Sequence, residues 1–268
     1  MPDVYTSIAT AGVDVVGPLI EILELRAADP GQRAMRERYL ADLELPPGAR
    51  VAEVGCGPGP VARAIARLDG VSEVVGVDPS PVFVAAARER GGDVPGLRFV
   101  EGDARDLPLD DGDFDAVVFH TTLCHVPEPE RALAEALRVL RPGGRLAVFD
   151  GDYATATCAL GDADPLQACV EAALESLVHD RWFVRRLPAL VAAAGFGPAL
   201  LRGYSYVEAP TSAGYFLRLV ERGADALRAG RRVGDEACAA LKAEAHRRSA
   251  EGTFFGHIAY VSAVARKP

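Results

Sequence analysis

The chain has 268 residues, of which 49% are hydrophobic and 25% are charged, a composition that is ordinary for a soluble globular protein. Its formal net charge is −9 and its basic residues form no continuous cluster, which argues against nucleic acid as a partner and favours a small-molecule substrate. The N-terminal residues lack the pattern of a secretion signal, and no eighteen apolar residues follow one another. We therefore expect a cytoplasmic protein that does not cross a membrane.

The N-terminal segment, residues 6–43, is predicted to be helical, because apolar residues recur there at helical spacing around a break at 29–31. Short runs rich in valine then alternate with helical patterns. The predicted strands of this part are 49–54, 72–77, 96–101, 114–119 and 144–149, and the predicted helices are 60–69, 81–90 and 128–140. Such an alternation of apolar strands and helices is typical of an α/β fold with a parallel sheet covered on both faces.

The C-terminal part continues with two helices within 163–195 and a strand near 203–209. A helical pair is predicted around Gly230 within 212–250, and a closing strand over 254–265. No repeat, low-complexity tract or clear linker divides the chain. We expect a single domain over 1–268, and its predicted parts are a helical cap (1–45), a cofactor-binding core (46–152), lid and pocket segments (153–252) and the closing strand (253–268).

A glycine-rich loop, "VGCGPG", follows the first predicted strand. Gly55, Gly57 and Gly59 allow a tight turn and let backbone amides approach a ligand. In a doubly wound sheet this loop lies at the carboxyl ends of the strands, where ligands bind. A tight turn without any ligand is the alternative explanation of the glycines alone.

Asp78 ends the second predicted strand, where an acidic side chain can accept hydrogen bonds from both hydroxyls of an adenosine ribose. A dinucleotide-binding loop would place its third glycine at position 60, which is proline in this chain. Glu53 also precedes the loop, and its acid is poorly suited to a diphosphate but well suited to an ammonium group. These features favour S-adenosylmethionine over a dinucleotide.

Four motifs in order resemble those of the class I S-adenosylmethionine-dependent methyltransferases, in particular the branch that includes quinone-biosynthesis and natural-product tailoring enzymes. The motifs are "VAEVGCGPG", "VVGVDPS", "VEGDARDLPLDDGDFDAVVFH" and "RVLRPGGRLAVFD". The resemblance covers about residues 33–150 and the closing strand. It implies a Rossmann-like doubly wound sheet of seven strands, mostly parallel with an antiparallel last strand, plus helical N-terminal and lid segments.

The resemblance also implies a set of cofactor-binding residues for S-adenosyl-L-methionine and its product S-adenosyl-L-homocysteine. Glu53 and the loop backbone would hold the methionine part, Asp78 the ribose, and Asp103 the adenine amine. Arg33 is a candidate clamp for the methionine carboxylate, and a solvent-exposed helix charge is its alternative explanation. The full set is Arg33, Glu53, Gly55, Cys56, Gly57, Gly59, Asp78, Pro79, Phe83, Asp103, Ala104 and His120.

A catalytic base is expected where the fourth and fifth predicted strands end, since an acceptor must lose a proton during methyl transfer. The candidates are His125 and His120, of which His125 is preferred, and a loop-organising histidine is the alternative. Asp150 and Tyr153, after the fifth strand, are alternatives that would shape the pocket. The aromatic residues Tyr5, Tyr153, Trp182, Phe183, Tyr215 and Phe216 are candidates for the acceptor pocket or for the core.

No metal is expected, because the five cysteines are scattered and contain no C-x-x-C pair. Arsenite-methylating relatives bind a metalloid through three cooperating cysteines. A metalloid site is therefore the alternative if Cys124 lies close to Cys56, Cys158 or Cys169 in the folded chain.

The predicted function is transfer of a methyl group to oxygen, carbon or nitrogen of a small-molecule acceptor, in natural-product biosynthesis. The alternatives are an S-adenosylmethionine-binding enzyme that catalyses a cyclisation or rearrangement without methyl transfer, an NAD(P)-dependent oxidoreductase and a cofactor-binding module without activity. A homodimer is one candidate for the oligomeric state, which the sequence leaves open.

Overall fold

The computed structural model describes residues 4–208 and 214–268. A 3-10 helix spans Val4–Thr10 and another spans Leu123–His125. The strands are β1 (Ala49–Val54), β2 (Val71–Asp78), β3 (Leu97–Glu101), β4 (Phe114–His120), β5 (Leu140–Thr157), β6 (Leu200–Glu208) and β7 (Gly256–Arg266). The α-helices are α1 (Val13–Ala28), α2 (Pro30–Ala41), α3 (Pro60–Ile65), α4 (Pro81–Gly91), α5 (Pro129–Val139), α6 (Pro165–Leu177), α7 (Phe183–Ala193), α8 (Tyr215–Ala229) and α9 (Asp235–Ala250).

The described strands form one seven-stranded sheet in the order β3-β2-β1-β4-β5-β7-β6. The first five strands of this order pair in parallel, and β7 pairs antiparallel with both β5 and β6. The predicted Rossmann-like sheet of seven strands with an antiparallel last strand is therefore confirmed. The strand order reverses between β1 and β4, and ligands of doubly wound sheets bind at such a point.

The central strands are buried along almost their whole length because helices cover both faces of the sheet. In β4 the side chains from Phe114 to Phe119 are all buried, and in β1 only Arg50 is partly exposed. Such strands have no solvent-facing side, and this explains why they appear in the sequence as continuous valine-rich runs.

The break predicted at 29–31 separates α1 from α2. Asp29 accepts a hydrogen bond from the backbone N–H of Gln32 at 2.9 Å, and Pro30 occupies the first turn of the new helix. Both devices favour a new helix start at this point. The chain consequently changes direction at Asp29, and one face of each helix packs against the rest of the fold.

Two predicted boundaries differ from the structure. The helix predicted over 60–69 ends at Ile65, because the chain turns toward β2 through Gly70, whose φ is 84°. Strand β5 is much longer than the predicted 144–149, since β7 pairs along it as far as Thr157 and His257. The predicted start of the helical pair at 212 lies outside the described residues.

None of the helices in the described ranges combines the length and the apolar character that a membrane crossing requires.

Helices α6 and α8 approach closely at Gly223. A Cβ atom added there would lie 1.8 Å from the carbonyl oxygen of Cys169 in α6, so even alanine requires the two helices to separate. We expect Gly223→Ala to lower the free energy of unfolding by about 1–3 kcal/mol through overpacking.

Chemical denaturation measures this change, with Gly203→Ala in β6 as the matched control. An added methyl group at Gly203 has no neighbour within 4 Å, so its effect should stay within about 0.5 kcal/mol. Equal stability of the two variants would contradict the close packing of α6 against α8.

Candidate functional site

A cavity of about 300 Å³ lies at the carboxyl ends of β1, β2 and β4, within the size range of small-molecule sites. Most of the residues predicted from the sequence lie in its wall. These are Glu53, Gly55, Cys56, Gly57, Asp78, Pro79, Phe83, Asp103, Ala104, His120 and His125. Two predicted residues, Arg33 and Gly59, do not line it.

The loop after β1 presents backbone to the cavity. Gly55 has a φ of 74° and lies against Thr122, so an added Cβ would come within 2.2 Å of the Thr122 side chain. Gly57 has a φ of 53°, a conformation that favours glycine. Gly59 does not face the cavity, although the sequence predicted that it would. Its Cα packs against the ring of Phe99 instead.

Asp78 fastens this loop to the end of β2. Its carboxylate accepts hydrogen bonds from the backbone N–H groups of Gly57 at 2.8 Å and Ser80 at 2.9 Å. Burial raises the pKa of Asp78 to about 6, although these two donors act in the opposite direction. Each carboxylate oxygen can accept more than one hydrogen bond, so the side chain retains capacity for a ligand in the cavity.

Glu53 is a buried carboxyl group in the cavity wall, with only 2% of the residue exposed. Its Oε2 atom has no hydrogen-bond partner in the described part of the chain. Burial and the nearby Asp78 raise the pKa of Glu53 to about 8, while the Ala62 backbone, Arg36 and Arg63 act in the opposite direction. An unsatisfied buried carboxyl group is costly, and a cationic ligand would satisfy it.

Arg33 lies outside the cavity, which differs from its predicted position. Its side chain is 58% exposed and faces Glu37 one helical turn away. Arg33 is therefore a charge on the solvent-exposed face of α2, as the alternative explanation had it. Arg26 and Arg36 line the cavity instead, and both are nearly buried. The spacing of Gln32, Arg36 and Leu40 along α2 was the signal that sequence reasoning missed, because it puts Arg36 on the buried face.

Asp103 lies in the cavity wall, but its carboxylate is already paired. Arg105 donates from Nε at 2.9 Å and from Nη2 at 2.6 Å, and this ion pair lowers the pKa of Asp103. Arg105 also lines the cavity and was not predicted. Recognition of an adenine amine by Asp103 therefore stays a prediction, and it must share the carboxylate with Arg105.

His120 is held by aromatic neighbours at the end of β4. Its ring stacks on Phe149 with 4.9 Å between centroids, and its Nδ1 atom shares a hydrogen bond of 2.9 Å with the Tyr39 hydroxyl. Burial, together with the charges of Arg26 and Arg36, holds the pKa of His120 well below its ordinary value. The ring is therefore neutral near pH 7 and poorly suited to take up a proton.

His125 lines both the main cavity and a smaller second cavity beside it. The carboxylate of Asp150 is fully buried behind the 3-10 helix, where it accepts hydrogen bonds from the backbone of Cys124 at 3.1 Å and Gly151 at 2.9 Å. Burial raises the pKa of Asp150, and the charge of His125 acts against that rise. A histidine beside a buried carboxylate is the usual arrangement of an oriented base.

The predicted pocket aromatics separate into two groups. Tyr153 and Tyr215 line the second cavity, whereas Phe183 and Phe216 are fully buried in the core and Trp182 is 54% exposed. The side chain of Tyr5 lies outside the described part of the structure.

All five cysteines are buried, and none of them forms a disulfide in the described residues. Within residues 4–208 and 214–268, no three histidine, cysteine or acidic side chains are grouped so that they could hold a metal ion. The structure therefore provides no support for a metalloid site at Cys124.

Comparison with known proteins identifies the fold and the domain. Residues 52–148 match the family model described as a methyltransferase domain. Among solved structures, a Bacillus halodurans protein described as a candidate methyltransferase aligns with a TM-score of 0.62 and 22% identity, over 88% of this chain and 99% of that one. The cyclase SpnF aligns with a TM-score of 0.54 and 28% identity, over 88% of this chain and 82% of that one.

Two curated relatives are mycobacterial methyltransferases. The phthiotriol/phenolphthiotriol dimycocerosates methyltransferase of Mycobacterium leprae is 39% identical over 48% of this chain and 48% of its own length. The fatty-acid O-methyltransferase of Mycolicibacterium smegmatis is 37% identical over 65% of this chain and 64% of its own length. The chain thus spans about half to two thirds of the curated relatives that it matches. The chain is thus similar to the class I S-adenosylmethionine-dependent methyltransferases in residues 52–148, which match the methyltransferase domain, and in its seven-stranded fold.

Proposed function

We propose that this protein transfers a methyl group from S-adenosylmethionine to a small-molecule acceptor. The observation that carries the proposal is the buried carboxyl group of Glu53, whose Oε2 has no hydrogen-bond partner among the described residues, in the same cavity as Asp78. One carboxylate suits the ammonium group of the methionine part, and the other suits the ribose hydroxyls. Arg26 and Arg36, which line the same cavity, are suited to the methionine carboxylate.

An NAD(P)-dependent oxidoreductase fits the cavity less well. A diphosphate at the loop after β1 would approach the buried carboxyl group of Glu53 and would bring no cation to stabilise its ionised form. Position 60 is proline in place of the third glycine of the dinucleotide fingerprint. The buried carboxyl group beside this loop therefore supports a cationic nucleoside.

S-adenosylmethionine supplies a methyl group that is already activated on its sulfonium, so the protein chiefly positions the acceptor and removes its proton. We assign the proton-accepting role to His125, which lines both cavities, and the orienting role to Asp150. His120 is a weaker candidate because its pKa is held far below neutrality.

A cyclisation or rearrangement without methyl transfer is the second candidate function. The likeness to the cyclase SpnF at 28% identity favours it, because that protein shares most of its length with this chain. Mass spectrometry of the product separates the two candidates, since only methyl transfer adds the mass of one CH2 group.

Three further properties stay proposals. A role in natural-product biosynthesis is supported by the sequence motifs that resemble tailoring enzymes, and location in the cytoplasm by five buried cysteines that form no disulfide. A single functional unit over 1–268 is supported by the continuous sheet, whose last strand lies next to β5.

The first prediction concerns Asp78. Asp78→Ala removes charge-assisted hydrogen bonds to the ribose, and we expect S-adenosylhomocysteine to bind about 10- to 150-fold more weakly. Calorimetry measures the change, and Asp93→Ala removes the same charge at an exposed position outside the cavity as a control. Unchanged affinity in Asp78→Ala would show that the ribose lies elsewhere.

The second prediction concerns proton release by Glu53. The pKa of Glu53 is raised to about 8, so the free protein holds a proton that an ammonium ligand must displace. Affinity for S-adenosylhomocysteine should therefore rise from about pH 6.5 to 8, by at most about tenfold per pH unit. Proton release follows from calorimetry in buffers of different ionisation enthalpy.

Two controls isolate this effect. Glu53→Gln should flatten the pH dependence, and 5′-methylthioadenosine, which lacks the amino-acid part, should bind with little pH dependence above about pH 7. Below that range Asp78, with a pKa raised to about 6, adds its own dependence. A pH-independent affinity in the unmodified protein would overturn the placement of the ammonium group.

The third prediction concerns the base. His125→Ala should lower kcat by about 10²- to 10⁴-fold with little change in S-adenosylhomocysteine affinity. Asp150→Asn should lower kcat less and shift the acid limb of the pH–rate profile, which a purely structural role would not do. The turnover rate of both variants is measured as the release of S-adenosylhomocysteine. His246→Ala is the control, because His246 pairs with Glu221 on the surface. Full turnover by His125→Ala would exclude it as the base.

A further inference from the structure

A second cavity adjoins the proposed cofactor cavity, and Leu23, Arg26 and His125 line both. Its remaining wall comes chiefly from three helices that are far apart in the sequence: α1, α6 and α8. Besides the shared residues, the wall contains Leu19, Ile22, Tyr153, Leu174, Leu177, Val178, Tyr215, Arg218, Leu219 and Arg222. A space that opens beside the methyl donor is where an acceptor would lie.

Two helices contribute one face each to this cavity. On α1 the lining residues recur at positions 19, 22, 23 and 26, and on α8 at positions 215, 218, 219 and 222. This spacing of three, four and seven places each set on one side of its helix. Much of the wall is therefore built by regular secondary structure, and the side chains that α1 and α8 contribute are leucine and isoleucine interrupted only by tyrosine and arginine.

The charged residues that line the second cavity are all basic. Arg26, Arg218 and Arg222 line the second cavity, and no described acidic residue does. This is unusual in a chain with a net charge of −9. In the described residues, neither Arg218 nor Arg222 has a carboxylate within ion-pair distance, whereas most arginines of the surface are paired.

The neighbouring acids are engaged elsewhere. On α1, Glu21 pairs with Arg90 and Glu24 pairs with Arg63, so both face away toward α3 and α4. On α8, Glu221 pairs with His246 of α9. These three acids are thus engaged by other partners, and the guanidinium groups of Arg218 and Arg222 are available to a ligand anion.

Exposure increases along the cavity. Arg26 and Tyr153 at the sheet are nearly buried, whereas Arg222 is half-buried and Arg218 is exposed. Arg222 lies seven residues after Tyr215 on α8, a rise of about 10 Å along the helix axis. The reacting end of an acceptor would therefore lie near His125, and its other end would reach the two outer arginines.

We infer that the acceptor is a small amphipathic anion, with an apolar body and with a carboxylate or phosphate at the end remote from the atom that reacts. The apolar body would lie against the leucines of α1, α6 and α8, and the anionic group would pair with Arg218 and Arg222. This inference rests on the proposed function for the position of the methyl donor, but the binding preference itself can be measured without turnover.

The experiment compares four probes with one chain length: decanoate, decyl phosphate, decanol and decyltrimethylammonium. Calorimetry is performed on the full chain with and without saturating S-adenosylhomocysteine. Both anions should bind about tenfold or more tightly than the alcohol and the cation, and the preference should weaken as salt is added. The relative affinities of decanoate and decyl phosphate separate a carboxylate from a phosphate ligand.

Two variants test whether the preference for anions depends on Arg218 and Arg222. The Arg218→Gln/Arg222→Gln double variant should lose the preference for anions and keep its affinity for decanol and for S-adenosylhomocysteine. Arg231→Gln removes an exposed arginine that does not line the cavity, and it should behave like the unmodified protein.

Two results would overturn the inference: anions that bind no more tightly than decanol, or a double variant that keeps the preference. Failure of S-adenosylhomocysteine to bind the unmodified protein would count against the proposed function instead. Because the probes are also measured without it, the two failures can be told apart.

Discussion

The central physical constraint of this protein is the burial of two acidic side chains, Glu53 and Asp78, beneath a loop that has almost no side chains of its own. Burial makes ionisation of both groups unfavourable, and the proximity of the two carboxyl groups adds to the cost. The fold offsets part of this cost for Asp78 with two backbone N–H groups. It does not do so for Oε2 of Glu53. A site with one satisfied and one unsatisfied carboxyl group is prepared for a ligand that brings a cation.

The parallel sheet makes this arrangement possible. Glu53 and Asp78 lie near the carboxyl ends of neighbouring strands β1 and β2, which pair in parallel, so the two side chains meet at one edge. The backbone of Gly55 and Cys56 also donates to the carbonyl of Val77 at 2.8 and 3.0 Å, which keeps the loop against β2. Asp78 is therefore both a part of the loop's structure and a candidate ligand-binding group. Its substitution is expected to affect both, which is why Glu53, whose role is confined to the cavity wall, provides the cleaner test.

Much of this could be predicted from the sequence because it depends on local patterns. Continuous valine-rich runs identified the buried strands, and the loop motif placed Glu53, Gly55 and Gly57 at the cavity. Arg33 was placed wrongly because a helical arginine looks the same in the sequence on either face of α2. Only the packing of that helix shows that Arg36 faces inward. The second cavity was predicted only in outline, as an acceptor pocket between the N-terminal and lid segments with Tyr153 and Tyr215 among its candidate residues. The rest of its lining could not be predicted, since its walls come from segments near residues 19–26, 174–178 and 215–222, which meet only in the folded chain.

The two cavities meet at a boundary formed by Leu23, Arg26 and His125. In the proposed transfer, donor, methyl carbon and acceptor must be collinear, so the acceptor atom would approach through this boundary. A base that lines both cavities can reach the acceptor's proton without entering the cofactor's space, and Asp150 lies behind His125 on the sheet side. Arg26, which contacts Thr121 and lines both spaces, brings a positive charge to the same boundary. This charge would favour an acceptor that becomes anionic as its proton leaves, so the electrostatics of the boundary and the proposed base favour the same step.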